Sequence, residues 1–286
     1  MQPAPPRGAK PPAEPLEDRR RPALARQRQD YILRRVRDEG VVRVTDLSDT
    51  LGVSDMTIRR DLGRLHQRGL LEKTHGGAAA LPGSALYEPG FRTKSAQMQA
   101  QKNAIAAAAA ELVMPGRAIG LSAGTTTYLL ALHLVDVPEL TVVTNSIPVA
   151  DVLHRRGRPD QVVILTGGVR TPSDALVGPI AAAALRSVHV DMVFMGVHGM
   201  DRRGFTTPNI LEADTNRALI DAGRRLLVLA DHTKWGVVGI SAIADLSRAE
   251  RLITDTGLDD DARTVLGAAL ELVVVEPWPA GARAVR

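Results

Sequence analysis

The chain has 286 residues with no cysteine, two Trp, three Tyr and three Phe, and 36 Lys+Arg against 32 Asp+Glu. That length calls for two domains; the missing thiols exclude disulfides, thiolate zinc sites and a cysteine nucleophile and fit a reducing cytoplasm, and so few aromatics argue against a reader that stacks single-stranded bases on rings. The basic excess is local, because residues 1–80 hold 16 Lys+Arg against 11 Asp+Glu while the remainder holds 20 against 21, so positive charge collects at the end where a phosphate backbone would need it.

Residues 1–22 carry seven prolines and no apolar core of a signal sequence, so they read as a disordered, weakly basic tail. No apolar run approaches the roughly 18 residues of a membrane helix, so a cytoplasmic chain with no membrane partner is expected. A first folded domain is expected over 23–81. Its opening helix runs from about Leu24 to Glu39, with Tyr31, Ile32 and Val36 opposite Arg26, Arg28, Arg34, Arg35 and Arg37. Thr45 is placed to cap a short second helix, D-L-S-D-T-L, whose Leu47 and Leu51 form an i, i+4 pair, and Gly52 makes the turn. The third helix spans 54–68. Ser54 caps it, Ile58, Leu62 and Leu65 make one buried stripe, and Gly69 stops it. Met56, Thr57, Arg59, Arg60 and Arg64 fall away from that stripe. Leu70–Thr74 and Ala78–Leu81 then read as strands around His75-Gly76-Gly77, which completes a winged helix-turn-helix.

A solvated basic helical hairpin would share this periodicity. A positive helix followed by a positive wing is also the shape that enters a groove of double-stranded DNA. The candidate DNA contacts are Ser54, Met56, Thr57, Arg59, Arg60 and Arg64 on the helix, with Lys73 and His75 on the wing.

Residues 82–100 lack clean periodicity and read as a linker. An α/β domain is expected over 101–277, followed by a tail at 278–286. K-N-A-I-A-A-A-A-A-E-L-V-M predicts a helix by alanine propensity, stopped at Pro115-Gly116. Apolar runs at 117–121, 140–144, 161–165, 191–195, 225–230 and 271–275 predict strands, and the stretches 126–134, 147–156, 178–187, 209–222 and 259–269 predict helices. Strands buried on both faces and alternating with helices imply a mainly parallel α/β sheet.

In such a sheet ligands bind outside the carboxyl ends of the strands. The segments found there are Ser122-Ala123-Gly124-Thr125-Thr126-Thr127, Thr144-Asn145-Ser146, Thr166-Gly167-Gly168-Val169-Arg170, Gly196-Val197-His198-Gly199-Met200-Asp201 and Asp231-His232-Thr233-Lys234. The first is the candidate anion seat, since its glycine admits close approach and a helix N-terminus follows; a Gly-Thr-Thr-Thr turn alone is more often a threonine-capped strand-to-helix connection, a reading that five polar loops on one edge make less apt. Arg170 and Lys234 are placed to supply formal positive charge. Together the loops suit a small phosphorylated molecule carrying hydroxyls.

The run V-S-D-M-T-I-R-R-D-L followed by G-L-L-E-K-T-H-G-G-A resembles the DNA-binding domain of the DeoR family of bacterial sugar-metabolism repressors. The strand-end loops, with G-F-T-T-P-N-I-L-E-A over Gly204–Ala213, resemble that family's effector domain, whose fold is that of sugar-phosphate isomerases and CoA-transferases. The resemblance spans about residues 25–276. It implies a repressor of a sugar or polyol operon, released from its operator by a phosphorylated sugar and working as a homo-oligomer, dimer or tetramer. By family role Gly124, Thr125 and Thr126 hold phosphate, while Asn145, Arg170, Asp201, Glu212 and Lys234 line the sugar pocket; Ser122, Gly167 and Gly168 complete the candidate set. Ser122 stands where the family usually has an acidic residue, which implies a different sugar or weaker sensing, and Asn216-Arg217 where Lys-Arg is frequent, which removes one cation near the rim.

The rival reading is a sugar-phosphate isomerase with an appended DNA-binding domain, which would need an acid and a base on either side of the sugar C1–C2. Asp201, Glu212 and Lys234 are nominees, but nothing in the sequence makes them converge, and no enzyme is expected. The seven histidines form no H-x3-H or H-E-x-x-H pair and there is no P-loop motif, so no metal or cofactor is expected.

Overall fold

The computed structural model describes residues 25–79 and 90–279. The expected tail at 1–22, the end of the expected second wing strand (80–81), residues 82–89 of the expected linker and residues 280–286 lie outside the described residues.

The N-terminal unit contains α1 (Ala25–Glu39), β1 (Val41–Arg43), α2 (Val44–Leu51), α3 (Asp55–Gln67), β2 (Glu72–Thr74) and β3 (Gly77–Ala79). Ile32, Val36, Leu47, Ile58, Leu62, Leu65 and Leu71 close one small core between the three helices and the wing. Ser54 caps α3 by accepting the Thr57 N–H at 3.4 Å. Gly69, at φ 65°, ends the helix through a paired reversal, with the Leu70 N–H to Leu65 O and the Gly69 N–H to His66 O. The start of α2 differs from expectation. It begins at Val44, so Thr45 lies within the first turn and caps nothing; instead the Val44 N–H donates to Gly76 O of the wing at 2.9 Å. β1 is too short for any periodicity to announce it, yet it pairs with β3 and makes a three-stranded wing ordered β1-β3-β2. Gly77 is required there, since a Cβ would lie 1.9 Å from Val42 O.

The second unit begins inside the segment expected to be linker. Residues 91–95 form α4 (Phe91–Ser95), and α5 (Gln99–Ala110) starts before Lys102 and ends ahead of the Pro115-Gly116 stop. A single turn such as α4 leaves no periodic trace. Tertiary contacts hold it: the Phe91 N–H reaches Pro172 O at 3.4 Å, and the Phe91 ring meets Tyr128 edge-on at 5.5 Å.

Next come β4 (Ala118–Leu121), α6 (Thr125–His133), β5 (Thr141–Thr144), α7 (Ile147–Arg156) and β6 (Val162–Leu165). A ribbon of β7 (Val169–Arg170) and β8 (Leu176–Val177) leads to α8 (Pro179–Arg186) and β9 (Val190–Gly196). A small antiparallel sheet of β10 (Gly199–Asp201), β11 (Gly204–Thr207) and β13 (Ser241–Ala244) encloses α9 (Ile210–Ala222) and β12 (Gly223–Leu229) in sequence. The chain closes with β14 (Arg251–Asp255), α10 (Asp260–Ala269) and β15 (Glu271–Val275).

Among the described residues the main sheet has seven strands, ordered β15-β14-β12-β9-β4-β5-β6, and every pair is parallel. Side chains alternate between two cores, as the period of a strand demands. Met192, Phe194, Leu227 and Leu229 pack with α5, α6 and α7, while Val193, Met195, Leu226 and Val228 pack with α8, α9 and α10. The order reverses at β4: β5 and β6 lie on one side of it, β9 and the later strands on the other. That reversal opens a crevice at the carboxyl ends of β4 and β9.

Candidate functional site

On α3, Met56 is 67% exposed, and Arg59, Arg60 and Arg64 are exposed beside it. Lys73 and His75 are exposed on the wing. Ser54 and Thr57 are engaged with each other, their hydroxyls 3.0 Å apart, so both shape the helix start. The inner face of α3 carries a charge that sequence reasoning passed over. Asp61, 1% exposed, accepts Arg28 Nε at 2.7 Å and Gln29 Nε2 at 3.0 Å, which ties α3 to α1.

The crevice between β4 and β9 holds a pocket. Gly124, Thr125 and Thr126, Asn145, Glu212 and Lys234 line it, all expected from sequence. The first N–H groups of α6 have no intrahelical acceptor, as at any helix start, and α6 begins at Thr125. Asn145, 2% exposed, holds this loop in place: its Oδ1 accepts the Ala123 N–H at 2.9 Å and its Nδ2 donates to Leu176 O at 3.1 Å. Glu212 receives three hydroxyls, Thr171 at 3.2 Å, Ser173 at 2.7 Å and Thr207 at 3.0 Å.

Five other candidates lie elsewhere. Ser122 is fully buried beneath the loop, where its Oγ accepts the Gly196 N–H at 3.0 Å and fastens the end of β4 to the end of β9. Gly167, Gly168 and Arg170 sit on the turn and ribbon after β6, outside the pocket lining. Gly168 has φ 119°, and a Cβ there would lie 2.6 Å from Val177 O, so local backbone packing accounts for it. Arg170 pairs with Asp174 at 2.6 Å. Asp201 pairs with Arg203 at 2.8 Å. Its burial works to raise its pKa, but the side-chain and backbone hydrogen bonds from Arg203 outweigh this and hold the carboxyl below its ordinary value.

Sequence reasoning missed Phe91, Lys94, Lys102 and Ser173, all part of the pocket lining; His198 and Thr207, also in the lining, belong to segments singled out from sequence but were not named as site residues. Lys102 is the most informative of them. It is 3% exposed and donates Nζ to Lys94 O at 2.6 Å. Desolvation lowers its pKa to about 8; Asp231 opposes this, and Lys234 and Lys94 add to it. A signal was present, because Lys102 stands at i with Ile105, Ala106 and Ala109 at i+3, i+4 and i+7, on the buried stripe of α5. Lys94, Lys102 and Lys234 thus gather cationic charge around one cavity that also has a helix N-terminus at its wall. Among the described residues no cluster of His, Asp and Glu suits a metal ion, and no helix is long and apolar enough to cross a membrane.

Residues 28–82 match the family model described as a DeoR-like helix-turn-helix domain, and residues 97–256 the model described as the DeoR C terminal sensor domain. The chain is 38% identical over 252 residues to the uncharacterized HTH-type transcriptional regulator YgbI of Escherichia coli (strain K12), covering 87% of this chain and 98% of that protein. It is 34% identical to the putative aga operon transcriptional repressor of Escherichia coli O157:H7, over 87% of this chain and 93% of that one. To the HTH-type transcriptional regulator GlpR of Haloferax volcanii it is 36% identical, over 88% and 98%. Among solved structures, a D-ribose-5-phosphate isomerase in complex with phospho-erythronic acid is similar at TM-score 0.35 and 15% identity, over 47% of this chain and 52% of that chain, a likeness too partial to bear on function. The two family models fall in order on one chain, one on the winged helix and one on the unit that holds the pocket, and the protein belongs to the DeoR family of transcriptional regulators.

Proposed function

We propose that this regulator represses a sugar or polyol utilisation operon and leaves its operator when a phosphorylated sugar enters the β4–β9 crevice. The observation that carries the reading is the meeting of three lysines and the α6 N-terminus on one cavity with the Glu212 carboxylate and the Asn145 amide. A phosphate seats at Thr125 and Thr126, where backbone N–H groups and the helix dipole favour an anion, with Lys94, Lys102 and Lys234 supplying formal charge. Glu212 and Asn145 receive sugar hydroxyls. Turnover of the ligand is not part of the reading. Glu212 accepts three hydroxyl hydrogen bonds, which suits holding a ligand rather than exchanging protons with it. On the DNA side, Arg59, Arg60, Arg64, Lys73 and His75 form the groove-facing surface, with Met56 among the base-edge candidates. The name of one relative, the putative aga operon transcriptional repressor, supports repression of an operon.

The test is fluorescence anisotropy on the protein's own promoter DNA, titrated with a panel of phosphorylated sugars. At least one sugar phosphate is expected to release wild-type protein, and Thr125→Ala should bind the DNA normally but ignore that sugar. Release of Thr125→Ala at the wild-type concentration of sugar would discard the loop as the phosphate seat.

A further inference from the structure

Among the described residues of the N-terminal unit, Gly63 is the one glycine for which the fold gives no reason. Gly40, Gly52, Gly69 and Gly76 take positive φ, from 63° to 85°, at turns where a side chain would be strained. Gly77 lies against Val42 O. Gly63 instead sits inside α3, where glycine weakens a helix relative to alanine, because its freer unfolded backbone loses more entropy on folding. A Cβ built on it would meet nothing within 4 Å. The fold therefore has room for a side chain there, and no contact within the chain offsets the lost helix stability.

Helix geometry gives Gly63 a direction. The buried Ile58, Asp61, Leu62 and Leu65 define the inner face of α3, and at about 100° per residue Gly63 points about 150° away from the middle of that face. Met56 stands on the same outward line about two turns earlier, some ~10 Å along the axis, and Gln67 follows at i+4. Arg59 and Arg60 flank the line at i−4 and i−3, with Arg64 next to it in sequence. All three arginines are exposed and form no ion pair among the described residues. With Lys73 and His75 exposed on the wing, the surroundings of Gly63 suit the approach of a polyanion.

We propose that Gly63 is the point of closest approach between α3 and the floor of the DNA major groove, where the absent side chain sets how deep the helix sits. On the groove-facing reading of α3, on which this assignment rests, that depth decides whether Met56, Arg60 and Gln67 reach base edges. The major groove is about 12 Å wide and about 8.5 Å deep, and a helix with its side chains is about 10–12 Å across. A helix of that size fills the groove, so one side chain on its outward line is enough to hold it off the floor. Phosphate contacts at the groove walls survive a shallower seat, because charges attract over distance. Base contacts are short and do not. Gly63 is thus a determinant of sequence preference, with little part in the affinity for DNA at large.

The test uses the full chain and fluorescence anisotropy on two duplexes of equal length, the protein's own promoter DNA and a scrambled duplex of the same base composition. Gly63→Ala and Gly63→Leu both introduce better helix formers into open space. Gly63→Ala should raise the melting temperature of the winged helix by about 4 °C, and Gly63→Leu should melt no lower than wild type. Promoter affinity should nonetheless fall about fivefold in Gly63→Ala and about a hundredfold in Gly63→Leu, the scale of one or two spoiled base pairs, while affinity for the scrambled duplex stays within about twofold. A glycine that served only the fold would move both duplexes together. Wild-type promoter preference in both variants, an equal loss on the two duplexes, or a lower melting temperature in Gly63→Ala would each overturn the proposal. Failure of the groove-facing reading would look different, since Arg59→Ala with Arg60→Ala would then keep full promoter affinity.

Discussion

Lys102 shows how one buried side chain sets a condition on the whole pocket. Burial takes its ammonium out of water and lowers the pKa from 10.5 to about 8. Between those two values the unfolded chain holds the proton and the folded, empty protein releases it, so the fold gains stability as pH rises through that window. An anion in the pocket reverses the balance, because negative charge beside the ammonium favours the protonated form. Binding at pH 8 should therefore take up a fraction of a proton, and affinity for a sugar phosphate should fall by about tenfold from pH 7 to pH 9. Calorimetry in two buffers of different ionisation heat measures the uptake. A binding heat that is independent of the buffer would show that Lys102 does not answer the ligand's charge. The same measurement on Lys102→Met should lose both the uptake and most of the pH dependence above pH 7.

At the scale of the element, α3 has two charged faces with opposite duties. Arg59 and Arg60 point to solvent, whereas Asp61, between them and Leu62 in sequence, is buried on Arg28 and Gln29 of α1. Removing Asp61 strands a largely buried guanidinium, and breaking such a pair costs roughly 3 kcal/mol or more. In so small a core that is a large share of the stability. Asp61→Ala should therefore lower the melting temperature of the winged helix and lose DNA binding with it. Arg59→Ala with Arg60→Ala should lose DNA binding with melting unchanged, and a parallel fall in melting would make those arginines structural. This inward carboxylate was not legible from periodicity, which sorts apolar from polar and reads any charge as outward. The third helix, its cap and its glycine stop were legible because each depends on neighbours along the chain. In the α/β unit, six strands of the main sheet announced themselves as apolar runs, while β14 did not, its R-L-I-T-D being apolar at only two of five positions. The ribbon β7–β8, the small antiparallel sheet and α4 are held by distant partners and left no local pattern. The first loop, Asn145, Glu212 and Lys234 could be found at strand ends or from the family pattern. Lys94 and Phe91 could not, because they reach the pocket from a segment that reads as linker.

At the scale of the molecule, that last pair matters for how a ligand is felt at the DNA. Phe91 and Lys94 belong to α4, the first described element after the winged helix, and both line the pocket. α4 is fixed on three sides: by the Pro172 carbonyl, next in sequence to the lining residue Ser173; by the Tyr128 ring on α6, whose first turn lines the pocket; and by the lining residue Lys102, whose ammonium donates to Lys94 O. A ligand that draws Lys102 or Lys94 toward its phosphate changes the footing of α4, and with it the anchorage of the chain that leads back to the DNA-binding domain. Coupling of this kind is reciprocal: if a sugar phosphate weakens operator binding by some factor, operator DNA must weaken sugar-phosphate binding by the same factor, ordinarily about 5- to 150-fold. Phe91→Ala removes the aromatic contact with Tyr128 but no charged group of the pocket. It should leave the operator affinity of the empty protein near wild type, and sugar affinity within about threefold, the loss of one modest packing contact. The coupling factor should shrink several-fold in both directions. Operator affinity measured with and without the sugar, and sugar affinity measured with and without operator, give that factor twice over. If Phe91→Ala retains the full wild-type factor, α4 is only a wall of the pocket, and the signal leaves the site by another element.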